Sequence, residues 1–250
     1  MKGLIVRNRY YTDEGMEYVF SRLADEFGRR GVECSVCSPV LTVGRDGRAA
    51  TDADGDFAVY WNKDVALCAA LERQMRCFNS SETIAKCDDK LATYLALAGI
   101  AAVPRTIAAP LMYAASDATD DEFLTQVETL GYPLIVKERV GSRGEQVFLV
   151  RNRSQLREQY KRLRHTPHMY EAYIADGERD LRIYVVGGKA VGAVTRKGAG
   201  FKSNLFAGAQ VERAEPDGGI TAVAERIADT LRADYCAVDF AGRENVLLEV

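Results

Sequence analysis

Two carboxylates stand inside apolar sequences near the end of the chain, Asp239 in CAVDF and Glu249 in LLEV. Both segments carry the residues that favour a pleated, half-buried surface, so both predict strands. An acid at an inward position of such a strand is costly unless a cation meets it. Two of them ten residues apart predict a hairpin that holds a divalent metal. Oxygen ligands completed by phosphates are the habit of Mg²⁺, and Mn²⁺ accepts similar donors. A purely structural role for the two acids is the alternative.

The pattern upstream changes once. The first third alternates strand and helix. Residues 3–7 form a short apolar strand. Asp13 opens a helix with Met16, Val19, Phe20, Leu23, Ala24 and Phe27 at helical spacing, and Gly31 ends it. Residues 32–37 and 57–61 read as strands, 43–55 as a Gly/Asp-rich loop and 64–74 as a helix. Near Glu82 a new pattern begins. Helices are expected over 88–97 and 120–130, a strand over 134–138, a glycine turn at 141–144 and a returning strand over 146–150. Ser154 is expected to cap a helix reaching Arg164. Strands follow at 171–174, 181–186 and 190–195, with Gly187-Gly188 as a hairpin turn. A helix over 219–233 precedes the two acid-bearing strands.

Several function classes are excluded. The net charge of −3 argues against nucleic acid, which calls for a basic stripe. No apolar stretch approaches the length of a membrane span. The first apolar run meets Arg7 and Arg9 after four residues, too soon for a signal peptide, so a cytoplasmic protein is expected. The sequence has no P-loop, no G-x-G-x-x-G after the first strand and no G-x-S-x-G. The DADGD run at 52–56 lacks the glycine and the distal glutamate of a calcium loop. Six cysteines, at 34, 37, 68, 77, 87 and 236, are expected to be reduced and structural, the C-x-x-C at 34–37 included. His165 and His168, in RHTPH, are expected to be solvated loop residues.

The remaining polar features point to phosphate. Lys137 lies in YPLIVKE on the strand face of Ile135. An ammonium there needs an anion or a route to solvent, so a phosphate contact and a snorkelling edge lysine both fit. Directly after it, Gly141, Ser142, Arg143 and Gly144 form a loop whose N–H groups suit a polyphosphate, or a plain hairpin turn. Lys90, in CDDKL, reads by itself as a solvated lysine in a charged first turn. Glu171, Ala172, Tyr173 and Ile174 form an extended segment whose backbone suits adenine. Asp180 suits ribose hydroxyls, or pairs with Arg179 or Arg182. Arg196, Lys202 and Asn204, in TRKGAGFKSN, suit a γ-phosphate or an acyl phosphate, or form a solvated loop.

In this order the segments DFAVYWNKD, CDDKLATYLALAGIAAVPRTI, GYPLIVKERVGSRGEQV, YEAYI, DLRIYVVGGKAVGAVTR, FKSN, AVDF and LLEV resemble the ATP-grasp superfamily, the RimK-like glutamate ligases most closely. The resemblance runs from about Phe57 to the last residue. It implies an α/β and α+β architecture: an N-terminal Rossmann-like pre-ATP-grasp domain (1–82) and two α+β lobes (83–170 and 171–250) that clasp ATP. It implies an ATP- and Mg²⁺-dependent ligase that joins a small-molecule or peptide carboxylate to an amine such as an amino acid. It leaves room for a homo-oligomer. Lys90, Lys137 and the GSRG loop would hold the phosphates, and residues 171–174 the adenine. Asp180 would hold the ribose, Asp239 and Glu249 the metal. Arg196, Lys202 and Asn204 would serve the transferred phosphoryl group. Three positions depart from the family pattern. Ala172 replaces an acid, Lys202 replaces an arginine and so loses the bidentate fork, and the family's metal-binding Asn would follow Val250, implying a chain that continues. A ligase of another branch, such as the D-alanine–D-alanine type, or an inactive nucleotide-binding regulator stays open beside this reading.

Overall fold

Alternation of apolar strand and amphipathic helix builds a parallel sheet in the first third of the chain. The computed structural model describes residues 1–11, 14–113, 120–142, 144–175, 179–197 and 210–250. Two units result: Met1–Ala85 with Arg232–Tyr235, and Lys86–Leu231 with Cys236–Val250. No helix among the described residues is long and apolar enough to cross a membrane.

The first unit contains β1 (Lys2–Arg7), α1 (Glu14–Gly28), β2 (Glu33–Cys37), β3 (Leu41–Val43), β4 (Ala49–Thr51), β5 (Phe57–Trp61), α2 (Val65–Leu71) and β6 (Arg76–Phe78). Its main sheet has the order β2-β1-β5-β6, with every pairing parallel. Leu4, Val6, Ala58 and Tyr60 pack with Leu67, Cys68 and Leu71 on one face. On the other face Phe20 meets Trp61 and Phe27 meets Phe57. The expected loop at 43–55 instead holds part of a hairpin, β3 against β4, because the Gly44–Arg48 turn closes on a backbone bond of 2.9 Å. Cys34 and Cys37 are three apart on a strand and so face opposite sides, which rules out a shared site. All six cysteines are free thiols.

Helix α3 (Ser81–Asp88) leads into the second unit. The single helix expected over 88–97 is broken: Asp89 leaves the helix and caps α4 (Lys90–Ala96), accepting from the N–H groups of Leu91 and Ala92. Then come β7 (Thr106–Ala108), α5 (Asp121–Glu128), β8 (Leu134–Glu138), β9 (Val147–Val150), α6 (Arg153–Leu163) and β10 (His168–Ala172). They form an antiparallel sheet, β7-β10-β8-β9. Leu134, Val136 and Tyr170 pack on Phe123, Leu124 and Val127 of α5 and Leu156 of α6. Asn152, not Ser154, caps α6, accepting from Gln155 N–H at 3.0 Å. His168 is buried in β10 rather than solvated. Its ring bridges Thr166 O at 2.7 Å and the Tyr170 hydroxyl at 2.9 Å.

The last sheet has the order β13-β12-β11-β14-β15. Its strands are β11 (Arg179–Val186), β12 (Lys189–Lys197), β13 (Gln210–Ala214), β14 (Tyr235–Ala241) and β15 (Val246–Glu249). Gly187 and Gly188 join β11 to β12 with φ of 58° and 75°, the left-handed pair that a two-residue hairpin requires. Helix α7 (Gly218–Leu231) buries Ile220, Ala224, Ile227 and Leu231, one helical stripe, and packs on β11 and β12.

Candidate functional site

The pleat of β8 sorts its residues. Leu134 and Val136 enter the α5–α6 core, so Lys137 points from the opposite face. The register sets Met169 beside Lys137 and Glu171 beside Ile135, which puts Glu171 on the Lys137 face one step along. Both are buried, at 5% and 3% exposure. The ammonium lies 2.7 Å from Glu171 Oε1 but off the line of a hydrogen bond, since that oxygen has none. Its hydrogen bond goes to the Tyr94 hydroxyl at 3.0 Å. Tyr94 in turn donates to Leu248 O in β15, at 3.1 Å. Burial, with Glu171 and Glu249 nearby, pushes the Tyr94 hydroxyl well above its ordinary range, so it stays a donor.

Lys90 begins α4. It is 7% exposed, which corrects the expectation of a solvated first-turn lysine. Three contacts place it. Its backbone N–H bonds Arg139 O at 2.9 Å, and its Nζ donates to Gly141 O at 3.1 Å and lies 3.0 Å from Glu249 Oε1. Gly141 has a φ of 147°, a conformation that glycine adopts without strain. Arg139 fixes the start of α4 by gripping Asp89 through Nε at 3.0 Å and through Nη2.

The five-stranded sheet carries the other half. Asp180 and Arg196 are register partners across β11 and β12. Arg196 grips Asp180 through two bonds of 2.7 Å and reaches Asp239 Oδ2 at 2.8 Å. Arg182 grips Asp239 through two more bonds of 2.7 Å. Asp239 and Glu249 stand opposite each other in β14 and β15. Burial alone would lower both arginines. The carboxylates outweigh it, so both lie above their ordinary range and remain charged.

Lys90, Lys137, Gly141, Glu171, Asp180, Arg196, Asp239 and Glu249 thus come into one run of contacts. Ala172 ends β10 opposite Leu134; Tyr173 and Ile174 follow it, half-buried. Ser142 is exposed and Gly144 half-buried. Arg143, Lys202 and Asn204 lie outside the described residues. Asp180 pairs with Arg196, not with the nearer Arg182. Two participants escaped the sequence reading as site residues: Tyr94, which ties α4 to β8 and β15, and Arg182, whose two-residue spacing from Asp180 placed it on the same strand face.

Comparison with known proteins places the chain in a family. The sequence pattern of the RimK-like ATP-grasp domain matches residues 87–250. The chain is 27% identical to mouse (Mus musculus) N-acetylaspartylglutamate synthase A over 206 residues, covering 80% of this chain and 51% of that protein. It is 30% identical to β-citrylglutamate synthase B of Danio rerio over 173 residues, covering 67% of this chain and 39% of that one. The chain therefore spans about half, or less, of the length of these relatives. A RimK domain ATP-grasp protein from Sphaerobacter thermophilus superposes with a TM-score of 0.71 at 18% identity, over 100% of this chain and 90% of that one. With that likeness of fold and a matched domain covering most of its length, the chain belongs to the RimK-like ATP-grasp family.

Proposed function

We propose that the chain is an ATP- and Mg²⁺-dependent carboxylate–amine ligase that forms an amide bond through an acyl phosphate. The observation that carries this reading is a run of paired charges, six of the eight buried and Arg182 and Glu249 half-buried. Four cations (Lys90, Lys137, Arg182, Arg196) meet four carboxylates (Glu249, Glu171, Asp180, Asp239) across two sheets of one unit. Balanced buried charge adds little net stability, and a fold of this family has a use for it. Relatives named as synthases of N-acetylaspartylglutamate and β-citrylglutamate make glutamate the first amine to try. A small carboxylic acid, or a peptide carboxylate, is the acyl donor.

In this reading Lys90 and Lys137 turn to phosphate oxygens, and the backbone of residues 141–144 covers the triphosphate. The backbone of 171–174 receives adenine, and Asp180 the ribose. Residues 83–170 and 171–250 act as the two lobes. The donor set suits Mg²⁺: Asp239 and Glu249 face each other across β14 and β15. Two carboxylates completed by phosphate oxygens are what Mg²⁺ takes. Bound there, the ion supplies charge neutralisation at the β- and γ-phosphates. Arg182 and Arg196 hold Asp239 in place. Arg196, with Lys202 and Asn204, stabilises the phosphoryl oxygens as the substrate carboxylate attacks in line, and then the oxyanion formed by the amine. A protein side chain is not needed as nucleophile.

The test is phosphate release from Mg-ATP with a panel of acids paired with amino acids. Lys137→Ala and Asp239→Asn are each expected to lower it by at least about 100-fold, the scale set by lost electrostatic stabilisation. Full activity in either variant overturns the assignment.

A further inference from the structure

Lys90 and Lys137 carry the same charge into the site on unequal supports. Lys137 lies in the middle of the four-stranded sheet, paired with Met169 on one side and Val147 on the other, so two ladders fix its Cα. Lys90 is the first residue of α4, a helix of seven residues. The N–H groups of a first helical turn have no acceptors within the helix, and a helix this short holds little of its own accord. The start of α4 must therefore be held from outside.

Residues 139–141 supply that support. The Lys90 N–H donates to Arg139 O at 2.9 Å, and Asp89 forms an antiparallel bridge with Val140. Asp89 Oδ1 accepts from the N–H groups of Leu91 and Ala92 at 3.0 and 3.2 Å. The same oxygen accepts from Arg139 Nε at 3.0 Å, and Arg139 Nη2 closes the fork on Oδ2. The Arg139 N–H donates in turn to Pro167 O at 2.9 Å, which ties the clamp to the start of β10. Burial alone would raise the Asp89 carboxyl. Arg139 and the two helix N–H groups outweigh it, so the carboxyl lies below its ordinary range and stays charged. One carboxylate thus caps α4 and joins it to the end of β8.

We infer that Arg139 and Asp89 form a positioning pair for Lys90: they fix the first residue of α4 so that its ammonium reaches the phosphates of the bound nucleotide. The inference rests on the function proposed above, which gives Lys90 its phosphate. Arg139 and Asp89 do not touch the nucleotide; both act through Lys90. A guanidinium suits this task where an ammonium would not. Its fork fixes the plane of the carboxylate, and with it the oxygen that caps the helix.

Mg-ATP binding to the protein is measured by calorimetry, with melting temperatures to confirm that each variant is folded. Asp89→Asn keeps an N-cap of equal quality but leaves the fork one acceptor oxygen instead of two, and no charge. It should raise the Kd about tenfold, the worth of one charge-assisted hydrogen bond lost at Lys90. Arg139→Ala should do the same, and Arg139→Lys, which keeps the charge without the fork, should recover part of the loss. The Arg139 variants carry the test if Asp89→Asn does not fold. A merely structural role is separated by the Lys90→Ala background, where neither Asp89→Asn nor Arg139→Ala should change the Kd further. An unchanged Kd when Lys90 is present, or the same fold-change with and without Lys90, overturns the inference and leaves the ligase reading intact. A wild-type protein that does not bind Mg-ATP overturns the ligase reading itself, and the positioning role with it.

Discussion

The four-stranded and five-stranded sheets of the second unit hold charge in different ways. On the β8–β10 sheet one ammonium meets one carboxylate, Lys137 with Glu171, at an angle that makes no hydrogen bond between them. On the five-stranded sheet Asp180 and Asp239 are each held by a guanidinium fork, and Arg196 spans both acids, while Glu249 at its edge meets the Lys90 ammonium. A lysine is a point charge on a flexible stem, able to turn toward a new anion; an arginine fork fixes the plane of the carboxylate that it grips. The first sheet is thus built to change partners and the second to hold position. In the function proposed above, admitting a triphosphate calls for the first and orienting a metal carboxylate for the second.

The contrast is broken most directly by removing one acid from each sheet. Glu171→Gln leaves Lys137 buried without its carboxylate, and should cost about 3–5 kcal/mol in urea unfolding. Asp180→Asn removes one of the two acids on Arg196. Because Asp239 still grips that arginine, the cost should be smaller, about 1.5–3 kcal/mol. Equal costs would mean that Arg196 does not share its charge as the geometry shows.

The link between the sheets is the next test. The Tyr94 hydroxyl stands between Lys137 and the carbonyl of Leu248. Tyr94→Phe keeps the ring and removes both bonds, so a loss of about 1–2 kcal/mol is expected, including the penalty for an unsatisfied carbonyl. The double variant with Glu171→Gln should lose less than the sum, because both changes act on Lys137. Strict additivity would show that Tyr94 and Glu171 hold the ammonium independently.

Much of this was legible in sequence, and the reasons are specific. β8 was read with its observed limits because an apolar run bounded by Pro133 and a charged residue leaves no other register. Asp239 and Glu249 stood out because acids in apolar strands demand an explanation, and they do face each other. β13 was missed because QVERA is an edge strand exposed along nearly its whole length, so it carries no burial pattern. The three residues of β7 are too few for a period. Tyr94 and Arg182 owe their roles to partners 43 and 57 residues away, which no local pattern encodes. His168 was misread because the polar RHTPH string hides that Thr166 and Tyr170 satisfy both ring nitrogens.

That histidine gives the smallest effect and separates the two sheets by pH. Thr166 O can only accept, so His168 Nδ1 carries the proton and Nε2 accepts from the Tyr170 hydroxyl. Burial lowers the His168 pKa, and it outweighs the hydrogen bonds to Thr166 and Leu163 carbonyls, which favour protonation. In the unfolded chain the ring titrates near 6.5. Above that pH both states are neutral and the contribution to stability is complete. As pH falls below it, the unfolded ring takes up a proton that the folded ring still refuses, so stability is lost until the lowered folded pKa is passed. The arginine forks of the other sheet do not titrate in this range. Urea midpoints measured from pH 7.5 down to 5 should therefore fall more steeply in the wild-type protein than in His168→Gln, which removes the titrating ring. Parallel profiles would show that the acid sensitivity arises elsewhere than at His168.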